Sequence, residues 1–134
     1  MSQPKLASNF IVLDTKQAAT EIPVTPGIYE ELDAKFDQFK GCLLIAEYTF
    51  SSDWSSWEMH PNGDETLYLI SGDATLLLYS GGVESQIEFN VPGSFVIIPK
   101  GTWHTALVKN NCTILFITPG EGTMNGADPR HSQN

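Results

Sequence analysis

Basic residues are scarce in this chain. Seven lysines and arginines stand against sixteen aspartates and glutamates, for a formal net charge of -9 at pH 7. No cluster of Lys and Arg offsets that excess. Such a surface repels phosphate backbones and anionic headgroups, so nucleic-acid and acidic-membrane binding are disfavoured. Charge of any sign is sparse, at 17% of residues, which excludes a disordered acidic chain with dense charge and few apolar side chains. Cysteine is limited to Cys42 and Cys112, with no C-x-x-C pair. A zinc ribbon or dithiol redox motif is therefore not indicated, and two small buried thiols are expected rather than a disulfide. No apolar run approaches the ~20 residues needed to span a bilayer. The start, Met1-Ser2-Gln3-Pro4-Lys5-Leu6, has no basic stretch followed by an apolar one. No signal peptide is apparent, and a cytoplasmic location is expected. Internal repeats and low-complexity tracts are absent as well.

What remains is enough for one core: 41% of the 134 residues are hydrophobic, so residues 1–134 read as a single domain. Residues 1–8 are polar and expected to be loose. Phe10–Leu13 is a short apolar run that can tie the N-terminus to the main body as a strand. Residues 20–27, with Pro23, Pro26 and Gly27, read as an extended connection. Leu32, Phe36 and Phe39 recur on one helical face, which predicts a helix over 29–39 stopped by Gly41.

From residue 42 the pattern changes. Runs of strand length alternate with turn residues: Cys42–Phe50, Glu65–Ile70, Ala74–Tyr79, Val83–Phe89, Ser94–Ile98, Trp103–Val108 and Thr113–Thr118. Short strands at close spacing predict an all-β barrel or sandwich. Leu76-Leu77-Leu78 and Val96-Ile97-Ile98 are apolar on both faces. Their outer faces call for a cover, either the N-terminal segment or a second subunit. Residues 119–134 hold Pro119, Pro129, three glycines and few apolar side chains, and read as a tail or surface loop in which Arg130 and His131 are solvated.

The chemistry-bearing stretch is Trp57-Glu58-Met59-His60-Pro61-Asn62-Gly63-Asp64-Glu65. In an extended strand, residues two apart share a face, so Glu58 and His60 point together and Met59 points away. Pro61-Asn62-Gly63-Asp64 is a tight turn, with Asp64 as turn former. Glu65 then returns toward the same place. Further on, Gly93 to His104 reads as a strand, a Pro99-Lys100-Gly101 turn, and a histidine opening the next strand. If His104, Ala106 and Val108 face inward, His104 completes a cluster of two imidazoles and two carboxylates. Such a cluster either holds a cation or forms a polar network without one. Trp54, Trp57 and Trp103 lie in or near these stretches. They read as core packing or, alternatively, as an aromatic wall for a flat ligand. Tyr48, Tyr68 and Tyr79 sit on strands whose facing depends on register.

These two stretches resemble the paired motifs of the cupins. The first motif runs His-x-His, three or four residues, Glu, six residues, Gly; here Glu58-x-His60 is followed by four residues, Glu65, six residues and Gly72. The second runs Gly, five residues, Pro-x-Gly, two residues, His, three residues, Asn; here Gly93 is followed by five residues, Pro99-x-Gly101, two residues, His104, three residues and Val108. Two positions depart from the pattern: Glu58 replaces the first histidine and Val108 the asparagine.

The resemblance implies an antiparallel jelly-roll barrel over about residues 42–118, with the N-terminal strand and helix packed on it and a homodimer through sheet packing or strand exchange. It also implies one divalent metal ion held by Glu58, His60, Glu65 and His104. Two histidines with a carboxylate and open positions suit Fe, Mn, Ni or Zn. Glu58 is read as a ligand, as a general base, or as a carboxylate that orients a ligating histidine without touching the ion. The expected function is that of a metal-dependent dioxygenase or isomerase acting on a small oxygenated molecule. The alternative is a non-enzymatic module that senses a metal or small ligand.

Overall fold

The computed structural model describes residues 2–131, and the side chain of His131, expected to be solvated, lies outside what is described. Among the described residues there are eleven strands and one short α-helix. The N-terminal strands are β1 (Asn9–Leu13) and β2 (Ala19–Pro23), followed by helix α1 (Ile28–Lys35). The barrel strands are β3 (Leu43–Phe50), β4 (Trp57–Met59), β5 (Glu65–Gly72), β6 (Ala74–Ser80), β7 (Val83–Phe89), β8 (Phe95–Ile98), β9 (Trp103–Leu107) and β10 (Cys112–Thr118). Strand β11 (Met124–Gly126) and a 3₁₀ turn (Pro129–His131) follow.

All pairing is antiparallel, and it is nested. β6 pairs with β7, β5 with β8, β4 with β9 and β3 with β10. The middle of the chain is thus one long hairpin whose successive rungs alternate between two sheets, which is the jelly roll the sequence predicts. The sheets run β2-β1-β3-β10-β5-β8 and β11-β4-β9-β6-β7.

Period-two alternation sets the inner faces. Leu67, Leu69, Leu76, Ile98, Ala106, Cys112 and Ile114 are almost inaccessible and fill the barrel. A second core lies under the N-terminal elements, where Phe10, Val12, Ile28, Leu32 and Phe39 pack on Leu44 and Ala46. Both cysteines are free and buried.

The structure corrects four sequence expectations. The helix ends at Lys35, not at residue 39. Asp37, Gln38 and Phe39 adopt positive φ of 52°, 57° and 60°, a left-handed turn that swings Phe39 into the second core at 3% exposure. Residues 20–27 are not only a connection, because Ala19–Pro23 forms strand β2 along β1. The segment after 118, read as a tail or surface loop, contains a strand. β11 pairs with β4, Asn125 opposite Glu58. Nor is Arg130 simply solvated: its Nε donates to Asp128 Oδ1 and its Nη2 to Oδ2, and its guanidinium lies 5.0 Å from the centre of the Trp57 ring. Sequence periodicity misses β11 because it is short, polar and paired only at an edge.

Candidate metal centre

Strand register brings the sequence-predicted residues together. Glu58 on β4 is the Cα partner of His104 on β9. His60 follows on the inner side, and its carbonyl accepts the Gly101 N–H at 2.9 Å, which ties the two motif turns to each other. Glu65 opens β5. Asp64 accepts the Lys100 N–H at 2.8 Å and is a turn former, as expected. Ala106 and Val108 face inward with His104, at 0% and 4% exposure.

The four side chains converge. His104 Nε2 lies 3.0 Å from Glu65 Oε1. His60 Nε2 lies 3.4 Å from the same oxygen and 3.6 Å from Glu58 Oε1. The imidazole centres are 5.4 Å apart. His60, Glu65 and His104 are buried, whereas the Glu58 side chain is 35% exposed. Glu58, His60 and His104 offer ligand atoms all within 4.8 Å of one another, a group that can hold a metal ion.

The proton positions follow from the partners. His104 Nδ1 lies 3.1 Å from the Thr102 carbonyl, which can only accept. His60 Nδ1 lies 2.8 Å from Thr123 Oγ1, whose own proton goes to the Gly120 carbonyl at 2.9 Å. Both histidines therefore donate from Nδ1 and turn Nε2 inward, the arrangement that presents a lone pair to a cation. Thr118 donates to Glu65 Oε2 at 2.5 Å, leaving Oε1 free to face the imidazoles. His60 Nε2, His104 Nε2 and Glu65 Oε1 are buried and lack a hydrogen-bond partner. Three buried, unsatisfied, electron-rich atoms around one point are costly unless a proton or a cation sits among them. Ligand atoms about 2.0–2.2 Å from a bound ion lie roughly 3.0–3.4 Å from one another, close to the spacing seen here. The donor set fits a divalent cation.

Electrostatics agree. Burial alone would raise the Glu65 pKa, but the His104 and His60 imidazoles outweigh it and hold that carboxyl down to about 2. Burial, and then the charge of Glu65, push Glu58 up. Burial pulls His104 down, but Glu65 outweighs it and the net shift is upward. Glu58, Glu65 and His104 thus compete over shared protons, and a divalent ion would replace those protons and neutralise both carboxylates.

Sequence reasoning did not find Thr123, Thr118 or the Thr102 carbonyl. Thr123 lies 63 residues from the histidine it supports, and no motif marks it. Of the three tryptophans, Trp57 is buried core at 6% exposure. Trp103 lies against Gly126. Trp54 lines the cavity above the centre with Tyr48. Tyr68 faces outward at 41% exposure.

Fold and site together define a cupin barrel with a candidate metal centre in its mouth. No protein-family model matches the chain, and no curated protein does either. Solved structures do match. The chain is similar to the Bacillus subtilis oxalate decarboxylase whose Mn(II) centres have been characterised, at 19% identity and TM-score 0.54, covering 63% of this chain and 23% of that one. It is similar to a cupin-2 domain protein of Shewanella frigidimarina, at 23% identity and TM-score 0.43, with 57% and 70% covered. A cupin superfamily protein of Desulfitobacterium hafniense gives 22% identity and TM-score 0.48, with 57% and 65% covered. At these identities the likeness is one of fold, and the fold is that of a cupin.

Proposed function

We propose that this protein holds one divalent metal ion through His60, Glu65 and His104, with Glu58 as fourth ligand, and acts on a small oxygenated molecule as a metal-dependent dioxygenase or isomerase. The observation that carries the reading is the set of unpartnered atoms His60 Nε2, His104 Nε2 and Glu65 Oε1, in a barrel whose mouth is open. Fe, Mn, Ni and Zn all suit such a donor set. When bound, such an ion supplies a Lewis acid that polarises a substrate oxygen. The chain's own residues supply the rest. Thr123 and the Thr102 carbonyl orient the imidazoles. Glu58, 35% exposed and lining the cavity, stands where an incoming ligand would meet the cluster, as fourth ligand or, if it stays off the ion, as general base.

The test is elemental analysis of protein purified without an affinity metal, followed by oxygen uptake against a panel of catechols and 1,3-dicarbonyls. Wild type is expected to carry a divalent metal and His104→Ala to lose it while keeping the same circular dichroism. Equal metal content in wild type and Glu58→Ala would move Glu58 out of the ligand set. Zinc with no turnover would make the chain a binding or sensing module instead.

Two further features belong to this reading. Free buried thiols suit a reducing compartment, consistent with a cytoplasmic location. On the outer face of β5 and β8, Tyr68, Ile70, Phe95 and Ile97 are 41%, 39%, 63% and 55% exposed. A second copy covering that face gives a homodimer. Among the described residues no helix is long and apolar enough to cross a membrane.

A further inference from the structure

The cavity above the candidate metal centre measures about 1200 Å³, beyond the ~300–1,000 Å³ of most small-molecule pockets. Oxalate, the smallest dicarboxylate, would leave nearly all of it to water. The walls are chemically uneven. Period-two alternation along β3 turns Tyr48 and Phe50 inward, Phe116 comes from the neighbouring β10, and Trp54 comes from the loop between β3 and β4. Their rings form one continuous surface. Phe50 and Trp54 have centroids 5.4 Å apart, Trp54 and Phe116 6.0 Å, and Tyr48 and Phe116 5.9 Å. All four line the cavity, and Tyr48, Phe50 and Trp54 are only partly buried. The wall runs directly to the centre, because the Trp54 ring lies 6.2 Å from that of His104.

Charge narrows the ligand further. Among the described residues lining the cavity, the one cationic side chain is Lys40, and it is exposed. Asp33, Asp53, Glu58, Glu65 and Glu121 line it as well. Arginine, the usual bidentate partner for a carboxylate or phosphate, is absent from the lining. A ligand carrying its own negative charge would sit beside Glu58 and Glu65 with no fixed cation to pair with beyond the metal, which two carboxylates already neutralise.

We propose that this cavity is built for an uncharged, planar aromatic ligand that stacks on the Tyr48–Phe50–Trp54–Phe116 wall and presents oxygen to the Glu58–His60–His104 cluster. The oxygen contact rests on the metal reading above, whereas the aromatic preference rests on the wall alone.

The two are separated by titration calorimetry with benzohydroxamic and acetohydroxamic acid, which share one pair of oxygen donors and differ in a ring against a methyl group. Benzohydroxamic acid is expected to bind at least about tenfold more tightly, the equivalent of ~1.4 kcal/mol. Oxalate is expected to bind more weakly than benzohydroxamic acid. Trp54→Leu should bring the ratio of the two hydroxamates toward one. Phe50→Leu serves the same purpose if circular dichroism shows that the first variant is misfolded. A wild-type ratio near one, or oxalate binding the tightest, overturns the proposal. Metal content is measured on the same sample. Metal retained with a ratio near one sinks the aromatic wall and leaves the metal reading standing. Benzohydroxamic acid preferred with no metal present sinks the metal reading and leaves the wall.

Discussion

Thr123 can only accept a proton from His60, because it has given its own to Gly120. Thr123→Val keeps the shape and removes the acceptor. Metal affinity is expected to fall about 10- to 100-fold, the usual cost of losing such support behind a ligand. Competition against a chromophoric chelator measures it, with Thr123→Ser restoring affinity. That Glu58, His60, Glu65 and His104 lie close together was legible in the sequence, and part of the reason is local. Glu58 and His60 are two apart on one strand and Glu65 follows a single tight turn, so period-two geometry aims those three together, whereas His104, far along the chain, was added by the resemblance to the second cupin motif. Thr123 was not legible, because its role depends on β11 reaching back to β4, and no short-range pattern encodes that pairing.

Turns set the elements, and two glycines show how differently. Gly72 ends β5 at φ +79°, and a Cβ there would lie 2.0 Å from the Asn111 carbonyl oxygen. Gly81, in the tight turn between β6 and β7, has φ +57° and nothing within 4 Å. Alanine at either site incurs left-handed strain of about 1–2 kcal/mol, but only at residue 72 must the β10 backbone also move. Gly72→Ala is expected to lower the melting temperature clearly more than Gly81→Ala, and equal losses would show that the Asn111 contact is soft. Most strands were readable from apolar runs bounded by Gly, Pro and Asn. The failures have physical causes. Pro23 disguised β2, an edge strand that tolerates proline. Phe39 kept helical spacing while three preceding or coincident left-handed residues, Asp37 to Phe39, ended the helix.

At the scale of the whole molecule, the outer face of β5 and β8 exposes Tyr68, Ile70, Phe95 and Ile97. Phe95→Glu with Ile97→Glu is expected to halve the mass seen by analytical ultracentrifugation, from two chains to one, with circular dichroism unchanged. A wild-type chain that sediments as a monomer would remove the dimer.

The nested strand pairing also has a kinetic consequence. Cys112 meets Phe50 and His104 meets Glu58 only after the distant halves of the chain have come together, and topologies dominated by such remote contacts fold slowly. The candidate cation site therefore does not form early enough to act as a nucleus. An ion that binds only the finished barrel leaves the folding rate nearly untouched and lengthens the lifetime of the native state.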